Sequence, residues 1–420
     1  MASAFTVKEH TVEAQHIREY PNATAHSQEE VLHLVVKQYI PKSNPSPRPG
    51  DITIIGAHAN GFPKELYEPL WEDLVTALSK KNIRVRGIWI ADVAWQGYSS
   101  MLNEDKLGND PSWIDHARDL LHMINIFRDH MPRPLVGVGH SFGGNVIVNL
   151  SYLHPRLLSH LVLLDPVLSR FVKLGPDYGF SPMKLSSFRR DLWPTRQEAE
   201  DSFRKNKLFA SWDPRVLEAW LQHGIRDTPT KLYPDQGKAT LRTTKHQEVF
   251  TYYRPLAQRV DGASGKRVVD LSKLPDIDPD YTQKYPNFPF YRPEGPLTTD
   301  RLPSLRPSVL WLFGGKSDVS PQGVRDEKMR LTGTGVGGSG GAAKGMVQQI
   351  TLEEYGHLVP MEATTECAEL AASSIVPAVE RWREEQSEFE EWAKKGDEEK
   401  QTISEELKGW IGPLKGKAKI

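Results

Sequence analysis

The strongest constraint on this chain is a series of short apolar runs that alternate with longer amphipathic segments. "DITIIGAHA" (51–59), "IRVRGIWIAD" (83–92), "LSHLVLLDPV" (158–167) and "PSVLWLFGG" (307–315) are the clearest. Runs of this length and composition read as strands buried on both faces. "VLHLVVKQYI" (31–40) reads as a further strand. Between them, "KELYEPLWEDLVTALSKK" places Leu66, Leu70, Leu74 and Leu78 on one helical face. "SWIDHARDLLHMINIFRDH" (112–130) predicts a helix with Ser112 as its N-cap. Strands alternating with helices imply an α/β chain, with a mostly parallel sheet and helices on both faces.

The alternation stops near 168 and resumes near 305. Residues 168–304, rich in Arg, Pro and aromatics, read as a largely helical lid or cap insertion. The expected division is an N-terminal extension (1–30), a first core part (31–167), the insertion (168–304), a second core part (305–394) and a charged tail (395–420). The glycine-rich "GTGVGGSGGAAKG" (333–345) reads as a flexible loop. A net charge of -1 argues against a nucleic-acid binder. A single cysteine, Cys367, rules out an intrachain disulfide and a cysteine-rich zinc site, and fits a reducing compartment. No run approaches the ~18 apolar residues of a membrane span.

One strand ends unusually. "LVGVGHSFGGNVIVNLSYL" runs from an apolar strand through Gly139-His140-Ser141-Phe142-Gly143 into an apolar helix. G-x-S-x-G between strand and helix is the context of a serine nucleophile held on a strained turn. The same letters recur at Gly337-Gly338-Ser339-Gly340-Gly341, but with no strand before and no helix after. A serine nucleophile needs a base. His357, in "ITLEEYGHLVP", is the histidine that follows the last strand-like run. Two aspartates end strands from which a carboxylate reaches that histidine: Asp165 in "LVLLDPV" and Asp318 in "WLFGGKSDVSP". The residues alone leave both open. Backbone N–H groups of Phe142 and of Gly61 and Phe62, in "HANGFP", are the expected oxyanion donors. No residue pattern calls for a metal or a cofactor.

"GAHANGFPKELYEPLW", "GVGHSFGG" and "YGHLVP", in that order, resemble the α/β-hydrolase superfamily over about 31–394. "IADVAWQGYSS" and "LLDPV" add a resemblance to fungal peroxisomal α/β-hydrolases. Those include the acyl-CoA hydrolase of mycophenolic acid biosynthesis, hydrolases of host-selective-toxin clusters and a yeast peroxisomal lipase. The resemblance implies an α/β-hydrolase fold and a serine hydrolase with Ser141, Asp165 and His357 as triad. It thereby ranks Asp165 above Asp318. It also implies an acyl-CoA or other ester substrate, with a lipase, carboxylesterase or non-catalytic binding protein as alternatives.

The sequence ends Ala418-Lys419-Ile420, a small-basic-aliphatic tripeptide of the kind a peroxisomal import receptor reads. A peroxisomal location is therefore expected, with the cytoplasm as alternative. In the insertion, Arg189, Arg190, Arg196, Arg204, Lys205 and Lys207 offer charge for the phosphates of CoA. Trp193, Phe203, Phe209, Trp212 and Trp220 offer walls for an acyl pocket, or packing for the insertion itself.

Overall fold

The computed structural model describes residues 4–169, 182–278, 280–281 and 289–413. Its centre is an eight-stranded sheet. In chain order the strands are β1 (Phe5–Glu13), β2 (His33–Pro41), β3 (Ile52–Ala57), β4 (Val85–Ala91), β5 (Leu135–His140), β6 (Leu158–Leu164), β7 (Ser308–Gly314) and β8 (Val347–Leu352). Their spatial order is β1-β2-β4-β3-β5-β6-β7-β8. The first two pairings are antiparallel and all the others parallel.

The apolar runs are buried strands for the reason read from the sequence. Along β3, β6 and β7 successive side chains enter opposite cores: Ile54, Val162 and Leu310 pack on one face, and Ile55, Leu163 and Trp311 on the other. A strand with two dry faces has no polar position to spare. Helix α1 (Glu68–Lys80) buries Leu70, Trp71, Leu74 and Leu78, whereas Leu66 belongs to the preceding 3₁₀ turn Lys64–Tyr67. Helix α2 (Trp113–Ile126) begins after Ser112, whose hydroxyl accepts the Ile114 N–H as an N-cap does.

Two expectations change. The N-terminal extension is partly sheet, because Phe5–Glu13 pairs along its whole length with β2. Its mostly exposed, charged side chains hid an edge strand that has little to bury. The glycine-rich loop is a folded structure rather than a flexible one. Gly333 N–H bonds Leu302 O, Ser339 N–H bonds Leu305 O and Gly340 N–H bonds Gly333 O. A Cβ on Gly338 would lie 2.3 Å from Pro303 O, so the glycine there permits close backbone approach. The described part of the insertion has more helix than strand, and adds short strands, including a three-stranded sheet of Leu192–Trp193, Ala239–Leu241 and Ile225–Asp227.

Trp193, Phe203, Phe209, Trp212 and Trp220 are all buried and belong to the same apolar cluster as α1 and one sheet face. Phe62 meets Trp212 and Trp220 edge-on, at centroid distances of 5.5 and 6.0 Å. These rings pack the insertion onto the loop after β3. The long C-terminal helix Thr364–Ala393 has its last buried residue at Trp382. Among the described residues, no helix is long and apolar enough to cross a membrane.

Four histidines lie within these cores, and burial pushes the pKa of each down: His140 and His160 to about 3, His58 below its usual value and His116 well below it. Between those values and about 6.5 the unfolded chain binds more protons than the folded one, so folding stability falls as pH falls through that window. Asp115 opposes them, because burial raises it to about 7 and the folded state then gains protons first. Each fully shifted histidine costs on the order of 1.4 kcal/mol per pH unit, so the histidines outweigh Asp115. Urea midpoints are expected to be markedly lower at pH 4.5 than at pH 7. Equal midpoints would show that these imidazoles take up protons in the fold without penalty.

Candidate active site

Ser141 sits between β5 and helix α3 (Phe142–Leu153), at φ 56° and ψ −119°. A non-glycine residue at positive φ is strained by roughly 1–3 kcal/mol and needs its surroundings to hold it. Three backbone bonds do so: Ser141 N–H to Leu164 O, Val167 N–H to Ser141 O, and Gly144 N–H to Ser141 O, at 3.0, 3.0 and 3.1 Å. The flanking glycines are there because the turn is crowded. A Cβ on Gly139 would be 2.5 Å from Gly143 O, and one on Gly143 would be 2.2 Å from Ala57 O. The second close approach presses the loop after β3 against the start of α3.

His357, in the loop after β8, stands with Nε2 2.8 Å from Ser141 Oγ and Nδ1 2.6 Å from Asp165 Oδ2. The tautomer that satisfies both carries its proton on Nδ1, donates it to Asp165 and accepts the serine hydroxyl at Nε2. Asp165 is fully buried at the end of β6, and its own φ of 40° turns the side chain toward His357. Burial alone would raise its pKa. The hydrogen bond and charge of His357, the hydrogen bond of Ser317 and the charge of Lys328 together hold it below the usual carboxylate range. Asp318 is exposed, and among the described contacts it has none to His357. Its neighbour Ser317 is the residue that reaches the site, donating from Oγ to Asp165 Oδ2.

Two further residues support the site, and sequence reasoning did not find them. Lys328, in helix α5 (Gln322–Leu331), is buried beside the rings of Trp311 and Phe313 and donates to Pro166 O at 2.9 Å. Burial pushes it down to about 7 against the pull of Asp165. A lysine in a polar helix carries no sequence signal of this placement. Tyr67 accepts the Ala59 N–H at 2.8 Å and stands 2.9 Å from His140 Nδ1, while His140 Nε2 is 3.0 Å from His357 O. With His140 neutral, one consistent assignment has Tyr67 O–H donating to Nδ1 and Nε2–H donating to the His357 carbonyl. The histidine next to the serine thus braces the loop that carries the other histidine.

The expected oxyanion donors separate. Phe142 N–H, at the first turn of α3, has no partner among the described residues. Gly61 N–H is taken by Gln96 Oε1 at 2.7 Å, and Phe62 N–H by Ala59 O at 3.2 Å. Next to Gly61 in that loop, Asn60 N–H has no partner among the described residues. The motif could not show this, because the competing acceptor comes from a residue 35 positions away.

The rival serine, Ser339, lies within the folded glycine loop, with its hydroxyl toward Gly341 N–H. The basic residues of the insertion mostly serve local pairs. Arg204 binds both carboxylate oxygens of Glu218, Arg196 binds Glu200 and Leu221 O, and Arg189 pairs with Glu248. Arg190 stacks near Trp193 and donates to Leu192 O, while Lys205 and Lys207 are exposed.

A mostly parallel sheet with a serine turn after its central strand, facing a histidine and a buried carboxylate, defines an α/β hydrolase. The chain belongs to the alpha/beta hydrolase family, whose model matches residues 54–370. It is 42% identical over 410 residues to the type I acyl-CoA thioesterase mpaH' of Penicillium brevicompactum, covering 92% of this chain and 91% of that one. It is 40% identical over 436 residues to the type I acyl-CoA thioesterase mpaH of Penicillium roqueforti, covering 98% and 95%. Among solved structures, the peroxisomal alpha-beta-hydrolase Lpx1 of Saccharomyces cerevisiae superposes with a TM-score of 0.62. The identity is 18%, over 97% of this chain and 95% of that one. At that identity the likeness concerns the fold.

Proposed function

We propose that this protein is an acyl-CoA thioesterase that works through an acyl-serine intermediate on Ser141. The observation that carries the reading is the Ser141–His357–Asp165 relay, at 2.8 and 2.6 Å. The thioester specificity is supported by the two Penicillium thioesterases, which match nearly the whole chain.

In the proposed cycle His357 Nε2 takes the Ser141 proton as Oγ attacks the thioester carbonyl. The oxyanion that forms accepts from the Phe142 and Asn60 N–H groups. Collapse breaks the C–S bond, and His357 returns the proton to the leaving sulfur, which departs as the CoA thiol. Water then gives its proton to His357 and attacks the acyl-serine. Collapse of this second intermediate restores the Ser141 hydroxyl and releases the free acid. Asp165 keeps the Nδ1 proton in place and stabilises the imidazolium in both halves.

A panel of acyl-CoAs and glycerides, followed by thiol and acid release, tests the reading. Equal amounts of thiol and acid from at least one acyl-CoA are expected, with glycerides turned over far more slowly. Preference for glycerides would replace the thioesterase with a lipase. The location proposed with it is the peroxisome, on the strength of Ala418-Lys419-Ile420, which lies outside the described residues. Removing the tripeptide should move an N-terminally tagged protein from puncta to cytosol without changing turnover. A diffuse intact protein would overturn the location and leave the chemistry standing.

A further inference from the structure

The loop that supplies Asn60 is held from one side by a single carboxamide. Gln96, in the turn after β4, is fully buried. Its Oε1 accepts Gly61 N–H at 2.7 Å, and its Nε2 donates to Asn60 Oδ1 at 2.7 Å and to Thr251 Oγ1 at 3.0 Å. These partners fix which end of the amide is which, since only the oxygen can accept from Gly61. The one carboxamide therefore holds Asn60 by its side chain and, through the next N–H, the peptide that follows it, which fixes the backbone on the C-terminal side of the Asn60 N–H. Gly61 itself has φ 82°, and a Cβ there would lie 2.8 Å from Glu248 Cδ, so a glycine is required at this contact.

Thr251 and Glu248 belong to helix α4 (Lys245–Tyr252) of the insertion. The helix makes three more contacts at this corner. Thr251 Oγ1 also accepts from Trp95 Nε1 at 2.8 Å, Asn60 Nδ2 donates to Glu248 O at 3.1 Å, and Trp113 Nε1 donates to Thr251 O at 2.7 Å. A hydrogen bond that must be in place before charge develops in the transition state is worth more than one that reorganises during reaction. The grip on Asn60 is thus complete only when the insertion's helix is seated.

We propose that Gln96 is a positioning residue that holds the Asn60 N–H toward the developing oxyanion and makes that hold depend on the docking of α4 through Thr251. The inference rests on the acyl-serine reading above. Neither residue touches the reacting atoms, and the amide they position meets a charge that develops in the transition state, so their loss should fall on kcat and leave ground-state binding nearly unchanged.

The test measures kcat, KM and inhibition by an alkyl boronic acid, a tetrahedral analogue, for Gln96→Leu, Gln96→Glu and Thr251→Val, with Ser141→Ala alongside. Para-nitrophenyl butyrate and the best acyl-CoA of the panel serve as substrates. Gln96→Leu should lower kcat by roughly 10- to 100-fold, short of the loss of a whole oxyanion donor, with KM within about threefold. Boronate affinity should fall by a similar factor. Gln96→Glu keeps the acceptor for Gly61 and should recover part of kcat, most at low pH where a protonated carboxyl can still donate. Thr251→Val should lower kcat by about 3- to 10-fold. A melt on each variant reports folding. If Gln96→Leu does not fold, Thr251→Val and Gln96→Glu carry the test. Wild-type kcat and boronate affinity in the folded variants, or a change confined to KM, would overturn the inference. Turnover retained in Ser141→Ala would instead overturn the acyl-serine reading on which it rests.

Discussion

Ser141→Ala should fold like the parent and lose at least about 10⁴-fold in kcat on the best acyl-CoA, as removal of a nucleophile does in enzymes whose triad acts as a unit. Among the described residues the side chain makes one hydrogen bond, to His357. The strained backbone of the turn is held by main-chain bonds that alanine keeps. The melting temperature should therefore move little while turnover collapses. A fluorophosphonate should label the wild type at this residue and leave the alanine variant unlabelled. Labelling at Ser339, or an alanine variant with undiminished turnover, would remove Ser141 from the chemistry.

Asp165→Asn should lower kcat by about 10³- to 10⁴-fold, because an amide facing Nδ1 favours the imidazole tautomer that cannot accept the serine proton. The carboxylate is fully buried and accepts from both His357 and Ser317, so the change also leaves polar groups mismatched. Some loss of stability should accompany the loss of rate. Asp318→Asn, on an exposed residue, should leave kcat within about twofold and the melt unchanged. The comparison is read from kcat of the two purified variants on one substrate. The opposite ranking would transfer the role of the acid to Asp318. An intermediate variant, Ser317→Ala, should cost less than Asp165→Asn, since it removes one donor to a carboxylate that still has His357.

Much of the architecture was legible because burial on two faces leaves a plain mark. β3, β4, β5, β6 and β7 are the apolar runs, and α1 and α2 are the amphipathic segments, with the Ser112 cap where the sequence puts it. β1 was not legible, since an edge strand with exposed charged side chains looks like a polar extension. The glycine loop at 333–345 misled for a related reason. Glycine is common both where a chain is loose and where backbones press together, and here it is the second.

The sequence by itself determined the parts of the site that depend on local geometry. A serine between glycines, after an apolar strand and before an apolar helix, has few conformations open to it, and the strained turn follows from those residue types. It placed His357 after the last strand by order along the chain. Tertiary structure decided what depends on distance. It set Asp165 rather than Asp318 within 2.6 Å of the imidazole, brought Ser317 and Lys328 behind that carboxylate, and gave Gly61 N–H to Gln96 instead of to a substrate. Each of those outcomes joins residues remote in sequence, carried on loops and a helix that follow different strands of the sheet. A hydrogen bond is gained or lost within a few tenths of an ångström, and spacing along one chain does not carry that information.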